Sequence, residues 1–402
     1  MQKQRWFLIG LVCLLCIVGM GWLFTARPPA LFPTPTPLPT ATPWPIPHQF
    51  TSPDYGMNLH VWWDPWAAIR RDWTLVKEAR FTWVKQRLAW QDIEGDGPGR
   101  YVWAGSDRIV DEAQQAGLSL IFRVDHPPSW AIPTVPETPL PVDIAAFGDF
   151  CHVLAARYAG RVAGYQVWNE PNLAREWNGL PPDPESYVHL LQACYIGIKT
   201  ADPNALVISA GLSPTGSGLP AAYPDTDYLT EMYSAGASPY FDLLGLHAPG
   251  YKAPPETSPN QAADPANDYG GQRFFCFRHV EEMRMIMEAH GDTYKQIAIL
   301  EFGWHTNNSP DHPDYAWFAV TPEQQGDYLV RAFRYAHTHW SPWIGPMFVW
   351  NIPDSKWDPS HEEFWWGIVD PFWWGFDGNY ETWSGGASRP AYEALKQMRK
   401  EY

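Results

Sequence analysis

Two glutamates carry the chemistry that the sequence offers. Glu170 closes the segment Gln166-Val167-Trp168-Asn169-Glu170-Pro171, and Glu301 closes Ile299-Leu300-Glu301-Phe302-Gly303-Trp304. Each follows a short apolar run that reads as a strand. Two carboxyl groups facing one pocket form the arrangement that cleavage of a glycosidic bond needs. One must hold a proton to give to the leaving oxygen. The other must be ionised, to attack or to activate water. Each raises the other's proton affinity, which lets one proton stay at neutral pH. The competing reading is a pair of rim ion pairs with no chemistry.

The elements that must position these glutamates alternate along the chain from Tyr55 onward. Strands are expected at Met57–Trp62, Thr82–Leu88, Leu118–Val124, Ala163–Trp168, Ala205–Ser209, Phe241–Leu246, Gln296–Leu300 and Pro346–Trp350. Helices are expected between them, at Ala67–Arg80, Ser106–Ala116, Asp143–Tyr158, from Asp183-Pro184, at Asp227–Ala235, Val280–His290 and from Thr321 to about His337, with Arg389–Glu401 closing the chain. Asp143 and Asp183 stand as caps, and Thr321-Pro322-Glu323-Gln324 has the form of a capping box. Eight strand–helix units in order predict a parallel sheet closed into a (β/α)8 TIM barrel. No glycine-rich phosphate loop follows any strand, which disfavours nucleotide folds. In such a barrel the active residues sit at the C-terminal ends of strands, where both glutamates fall.

Here the resemblance becomes specific. Trp168-Asn169-Glu170-Pro171 with Glu301-Phe302-Gly303 resembles the retaining (β/α)8 glycoside hydrolases with catalytic glutamates on strands four and seven, of which families 39 and 5 are the nearest. The resemblance covers about residues 54–402. It implies Glu170 as acid/base and Glu301 as nucleophile. It implies Asn169 as the hydrogen-bond partner of the substrate 2-hydroxyl and Arg87 as an arginine that keeps the nucleophile ionised. His247 matches the histidine near the site, and Trp350 the indole that floors the cleaved sugar's subsite. His126 stands where relatives carry a polar sugar contact, with Asp125 beside it as a rival. A tyrosine that orients the nucleophile often follows the histidine directly. This chain has Ala248-Pro249-Gly250-Tyr251, so Tyr251 is offset. His60 and Trp62 either point into the barrel mouth or pack. No cofactor and no metal is required. Strand one offers Asn58-Leu59-His60 without paired histidines, and no H-E-x-x-H occurs, which disfavours a metal-dependent barrel hydrolase.

Composition narrows the partners. The 402 residues carry 28 basic and 44 acidic side chains, a formal −16. Such a chain is a poor ligand for nucleic acid. Trp occurs 24 times, more often than Tyr or Phe. Six of these indoles (Trp357, Trp365, Trp366, Trp373, Trp374 and Trp383) crowd the loop after strand eight. They read either as a wall of sugar subsites, stacking on the apolar faces of sugar rings, or as a small aromatic core. The expected partner is an oligo- or polysaccharide. A barrel that holds glycans without cutting them is the alternative.

The N-terminal region reads separately. Trp6 to Phe24 carries no charge, with Lys3 and Arg5 before it. That length suits one membrane span with the remainder outside. Phe24-Thr25-Ala26 fits a signal-peptidase site poorly; cleavage there would make the protein secreted. Residues 28–47 hold nine prolines interleaved with Thr, an extended stalk. The expected division is therefore an anchor over 1–27, a Pro/Thr-rich linker over 28–50, and a catalytic domain over 51–402 at the cell membrane, on its extracytoplasmic side. Outside the anchor stand Cys151, Cys194 and Cys276. Cys151 and Cys194 could pair, or all three could be buried thiols.

Overall fold

The computed structural model describes residues 50, 53–64, 66–133, 141–307, 309, 313–376 and 381–401. The expected anchor and stalk lie outside these residues. Among the described residues no helix is long and apolar enough to cross a membrane.

Eight parallel strands close on one another in chain order, β1 pairing with β8. They are β1 (Asp54–Leu59), β2 (Trp83–Ala89), β3 (Ser119–Asp125), β4 (Gly164–Val167), β5 (Leu206–Ser209), β6 (Leu243–His247), β7 (Gln296–Phe302) and β8 (Ile344–Val349). A helix follows each: α1 (Trp66–Glu78), α2 (Ala104–Ala116), α3 (Ile144–Arg157), α4 (Pro184–Ala201), α5 (Asp225–Ser234), α6 (Val280–Ala289), α7 (Pro322–Tyr335) and α8 (Pro390–Gln397). The expected (β/α)8 barrel is therefore the fold. Between β8 and α8 an antiparallel hairpin is inserted, β9 (Phe372–Phe376) with β10 (Glu381–Gly385).

The local signals work as their chemistry dictates. The Asp143 carboxylate accepts from the Ala146 N–H, and Asp183 accepts from that of Ser186. Thr321 and Gln324 bond reciprocally across the first turn of α7, so the orphan amides there are satisfied. The strand expected at Met57–Trp62 lies three residues earlier. Its position is set by pairing, Gly56 standing beside Trp83 and Phe348. A Cβ on Gly56 would lie 2.4 Å from the Phe348 ring, so only glycine admits that register.

Strand alternation divides the apolar side chains in two. Ile121, Leu206, Ile208, Leu243, Ala298, Leu300 and Phe348 fill the barrel interior, with Phe50 and Trp83. Their neighbours in sequence, such as Ile297, Ile299, Val207 and Leu244, pack outward against the helices. A disulfide joins Cys151 of α3 to Cys194 of α4, Cα–Cα 5.2 Å, and Cys276 is buried with a free thiol.

Candidate active site

Glu301 reaches the barrel mouth through an irregularity in its strand. Leu300 points inward, so strict alternation would send Glu301 outward. Between β6 and β7 the register moves from Leu246↔Ile299 to His247↔Glu301. One extra residue is thus accommodated in β7, and this bulge re-aims Glu301 to the interior. Glu170 is aimed by other means. Trp168 (φ 73°) and Glu170 (φ 36°) both have left-handed backbone, a conformation that costs a non-glycine residue about 1–2 kcal/mol. The turn is held by Asn172, which donates to the Ser213 and Tyr223 carbonyls and accepts from the Ser213 N–H. The Trp168 indole packs outward against Phe147 and Trp177.

The two carboxylates meet at one imidazole. His247 Nδ1 lies 3.0 Å from Glu170 Oε1, and its Nε2 lies 3.6 Å from Glu301 Oε1. The ring has room because β5 is followed by Gly211, where a Cβ would fall 2.1 Å from His247 Cδ2. Lys85 Nζ donates to Glu301 Oε1 at 2.9 Å. Arg123 lies 3.5 Å from the same oxygen, bonds Asn169 Oδ1 at 3.1 Å, and is gripped by buried Asp125 at 2.8 Å. Arg175 donates to Glu170 Oε2 at 2.7 Å. Glu170, Glu301, His247, Asn169, Arg123 and Arg175 line a cavity of about 430 Å3, with Trp350, Tyr251, Trp366 and the further carboxylates Glu176, Glu362 and Glu363 in its wall.

Burial pushes the Glu301 carboxyl up, but His247, Lys85 and Arg123 together outweigh it and hold it below the usual range. Burial likewise opposes ionisation of Glu170, yet its bonds to His247 and Arg175 bring it down to about 2. Burial lowers Lys85 to about 8, against the pull of Glu301. The neighbours of both glutamates therefore favour the ionised form, opposing the mutual repulsion that was expected to keep one protonated.

The other expected residues are distributed unevenly. Asn169 and His247 stand with the glutamates. Trp350 edges the same cavity. Arg87 was expected against Glu301; its side chain is 41% exposed and its nearest carboxylate is Asp125, at 4.0 Å. Lys85, two residues earlier on the same face of β2, occupies that role geometrically. His126 is turned to Asp125, at 2.8 Å, and lines neither the cavity nor its neighbour. Asp125 is engaged with Arg123. Tyr251 lines the cavity, but its hydroxyl donates to the Pro214 carbonyl at 3.4 Å, not to Glu301. His60 packs against Trp350 and Trp357. Of the loop indoles, Trp366 is buried in the cavity wall and Trp357 lines an adjoining cavity; the side chains of Trp373, Trp374 and Trp383 lie outside the described residues. Lys85, Arg123 and Arg175 were not singled out from sequence. Period-two alternation from Arg87 was the signal that could have found Lys85.

Residues 48–235 match the family model for cellulase (glycosyl hydrolase family 5). Among solved structures, a family 39 glycoside hydrolase from Bacteroides cellulosilyticus WH2 superposes with TM-score 0.61 at 18% identity, over 86% of this chain and 63% of that one. A monomeric β-xylosidase from Caulobacter crescentus CB15 gives 0.56 at 17%, over 87% and 69%. An exo-β-1,4-mannosidase from Opitutaceae bacterium strain TAV5 gives 0.53 at 16%, over 86% and 58%. The chain thus spans less than two thirds of the length of the first and third of these. No curated protein matches it significantly. The family-model match covers somewhat less than half of the chain, and the solved structures share its barrel, so the chain is similar to glycoside hydrolases. Its resemblance is to the family 5 and family 39 type.

Proposed function

We propose that the chain is a retaining glycosidase acting on β-linked glycosides, with Glu301 as nucleophile and Glu170 as acid/base. The observation that carries this is the pairing of two half-buried glutamates across His247 in one cavity, one of them held anionic by Lys85 and Arg123. Glu301 attacks the anomeric carbon while Glu170 gives its proton to the departing oxygen. The covalent glycosyl-enzyme is then opened by water, from which Glu170 takes a proton, and the configuration is kept. Asn169 is oriented by Arg123, which occupies its oxygen and leaves its N–H groups for a substrate hydroxyl. Trp350 offers the sugar a flat apolar face. Glu170 must gain a proton before the first step. Arg175, 71% exposed on its side chain, is the partner that an arriving leaving group can displace. Losing that cation lets burial raise the carboxyl.

The substrate is a β-glycoside of xylose, mannose or glucose type, in keeping with the names of the neighbours. We further propose that Trp6–Phe24 anchors the protein and that the barrel works outside the cytoplasm. The Cys151–Cys194 disulfide supports an oxidising compartment.

The test is turnover of a panel of aryl β-glycosides and β-linked polysaccharides by the purified chain. Glu301→Ala is expected to abolish it. Glu170→Ala is expected to survive mainly on substrates with good leaving groups, which need no acid. Unchanged turnover in Glu301→Ala rejects the assignment. Glycan retention without any turnover moves the reading to a binding barrel.

A further inference from the structure

Three cavities adjoin at the barrel mouth. The central one holds the glutamates. A second, of about 290 Å3, shares Arg123, Trp350 and Glu363 with it and extends to Trp62, Trp63 and Trp357. A third, of about 410 Å3, shares Pro214 and Tyr251 with the central one and extends to Phe274, Phe275 and Gln272. The second is built from segments following β1, β2 and β8, the third from segments following β5 and β6. In a closed eight-strand barrel these stand across the mouth from each other. The three therefore lie in a row across the mouth, with the glutamate pair in the middle one.

Both ends carry exposed indoles. Trp63 lines the second cavity and is 64% exposed, and Trp317, 38% exposed, stands behind Tyr251 and Phe275 of the third. Trp317 lies parallel to Tyr251, at 6.3 Å and 19°, and packs on Phe275. An indole left in water forgoes the gain from burying its apolar surface, which an apolar sugar face can restore. Polar groups accompany each platform. Arg87, free of Glu301, and Asp92 and Asp354 line the second cavity; Thr215, Ser217 and Gln272 line the third. Alternating flat apolar faces and hydrogen-bonding groups suit successive sugar rings, whose faces are apolar and whose edges are hydroxylated.

Resting on the glycosidase reading, we propose that the site is an open cleft that binds several consecutive residues of a β-linked glycan and cuts an internal bond, with Trp63 and Trp317 as stacking platforms at its two ends.

The experiment is hydrolysis of reduced β-1,4-linked xylo-, manno- and gluco-oligosaccharides, from disaccharide to hexasaccharide, by the purified chain, with products identified by mass. The expected result is kcat/KM rising with chain length and products longer than one sugar from both ends. Trp63→Ala and Trp317→Ala, both at exposed positions, are each expected to lower the hexasaccharide-to-disaccharide ratio of kcat/KM about tenfold. Release of single sugars from one end, at a kcat/KM independent of length, overturns the cleft and leaves the glycosidase reading standing. Absence of turnover across the series defeats the glycosidase reading. Retention of the same oligosaccharides by the chain in affinity gels then decides the cleft separately. Retention that grows with length and weakens in the tryptophan variants supports it; retention independent of length, or none, overturns it.

Discussion

Glu170 and Glu301 share one imidazole but differ in their other partners. Glu301 is tied to Lys85, which is buried, and to Arg123, which Asp125 grips. Glu170 is tied to Arg175, which can leave. On the roles proposed for them, the difference suits a permanent nucleophile beside a group that must cycle between acid and base. It also makes a prediction about pH. A carboxyl whose pKa is held down donates its proton only at low pH, so with Glu170 as the proposed acid the alkaline limb of kcat/KM is expected to follow Glu170 in the free enzyme. Removing the Arg175 charge raises that pKa. Arg175→Ala is therefore expected to shift the alkaline limb to higher pH, by about one unit or more for loss of a bonded cation. A pH–rate profile of variant and parent checks it; an unmoved limb sinks the displaceable-partner account.

Elements place these residues by breaking their own rules. The β7 bulge turns Glu301 inward, and left-handed backbone at Trp168 and Glu170 bends the end of β4. Such departures are stable only when the surroundings over-determine them, which is the work of Asn172 and of the packing around Trp168. The helices contribute through α3 and α4, joined by Cys151–Cys194 across 43 residues. Closing a loop of that length stabilises by about 2–4 kcal/mol. The Cys151→Ser/Cys194→Ser pair is expected to lose that much in denaturant unfolding. It should keep its turnover below the unfolding transition, because neither cysteine lines the cavity. An unchanged midpoint would show that α3 and α4 are held by packing alone.

At the scale of the whole molecule, buried carboxyls outside the site set how stability follows pH. Burial raises Asp72 to about 7, against the bond from Arg71, and raises Asp64 to about 6. The folded state then holds protons that the unfolded chain has released near pH 4. Stability is fully present below that point and falls as pH rises towards 7. Each unit of displacement amounts to about 1.4 kcal/mol. The melting temperature is expected to fall between pH 5 and pH 7.5, and Asp72→Asn to flatten that fall. A melting curve that rises over this range would contradict it.

The sequence by itself determined the barrel, because eight periodic strand–helix units and their caps are local signals. It determined the glutamate pair, because each ends an apolar strand before a turn. It left Cys151 and Cys194 open, since pairing requires that α3 and α4 lie side by side. Only the tertiary structure decided that Lys85 and Arg123, not Arg87, flank Glu301. Which residue on a strand reaches a neighbour depends on tilt, stagger and bulges around the closed sheet, and spacing along one strand carries none of these. The same holds for Tyr251, whose hydroxyl goes to Pro214, and for His126, which turns to Asp125. The groups that favour the ionised form of both glutamates come from β2, β3, β6 and the turn after β4. Their effect arises from distances of a few ångströms across the mouth of the barrel, which exist only once it has closed.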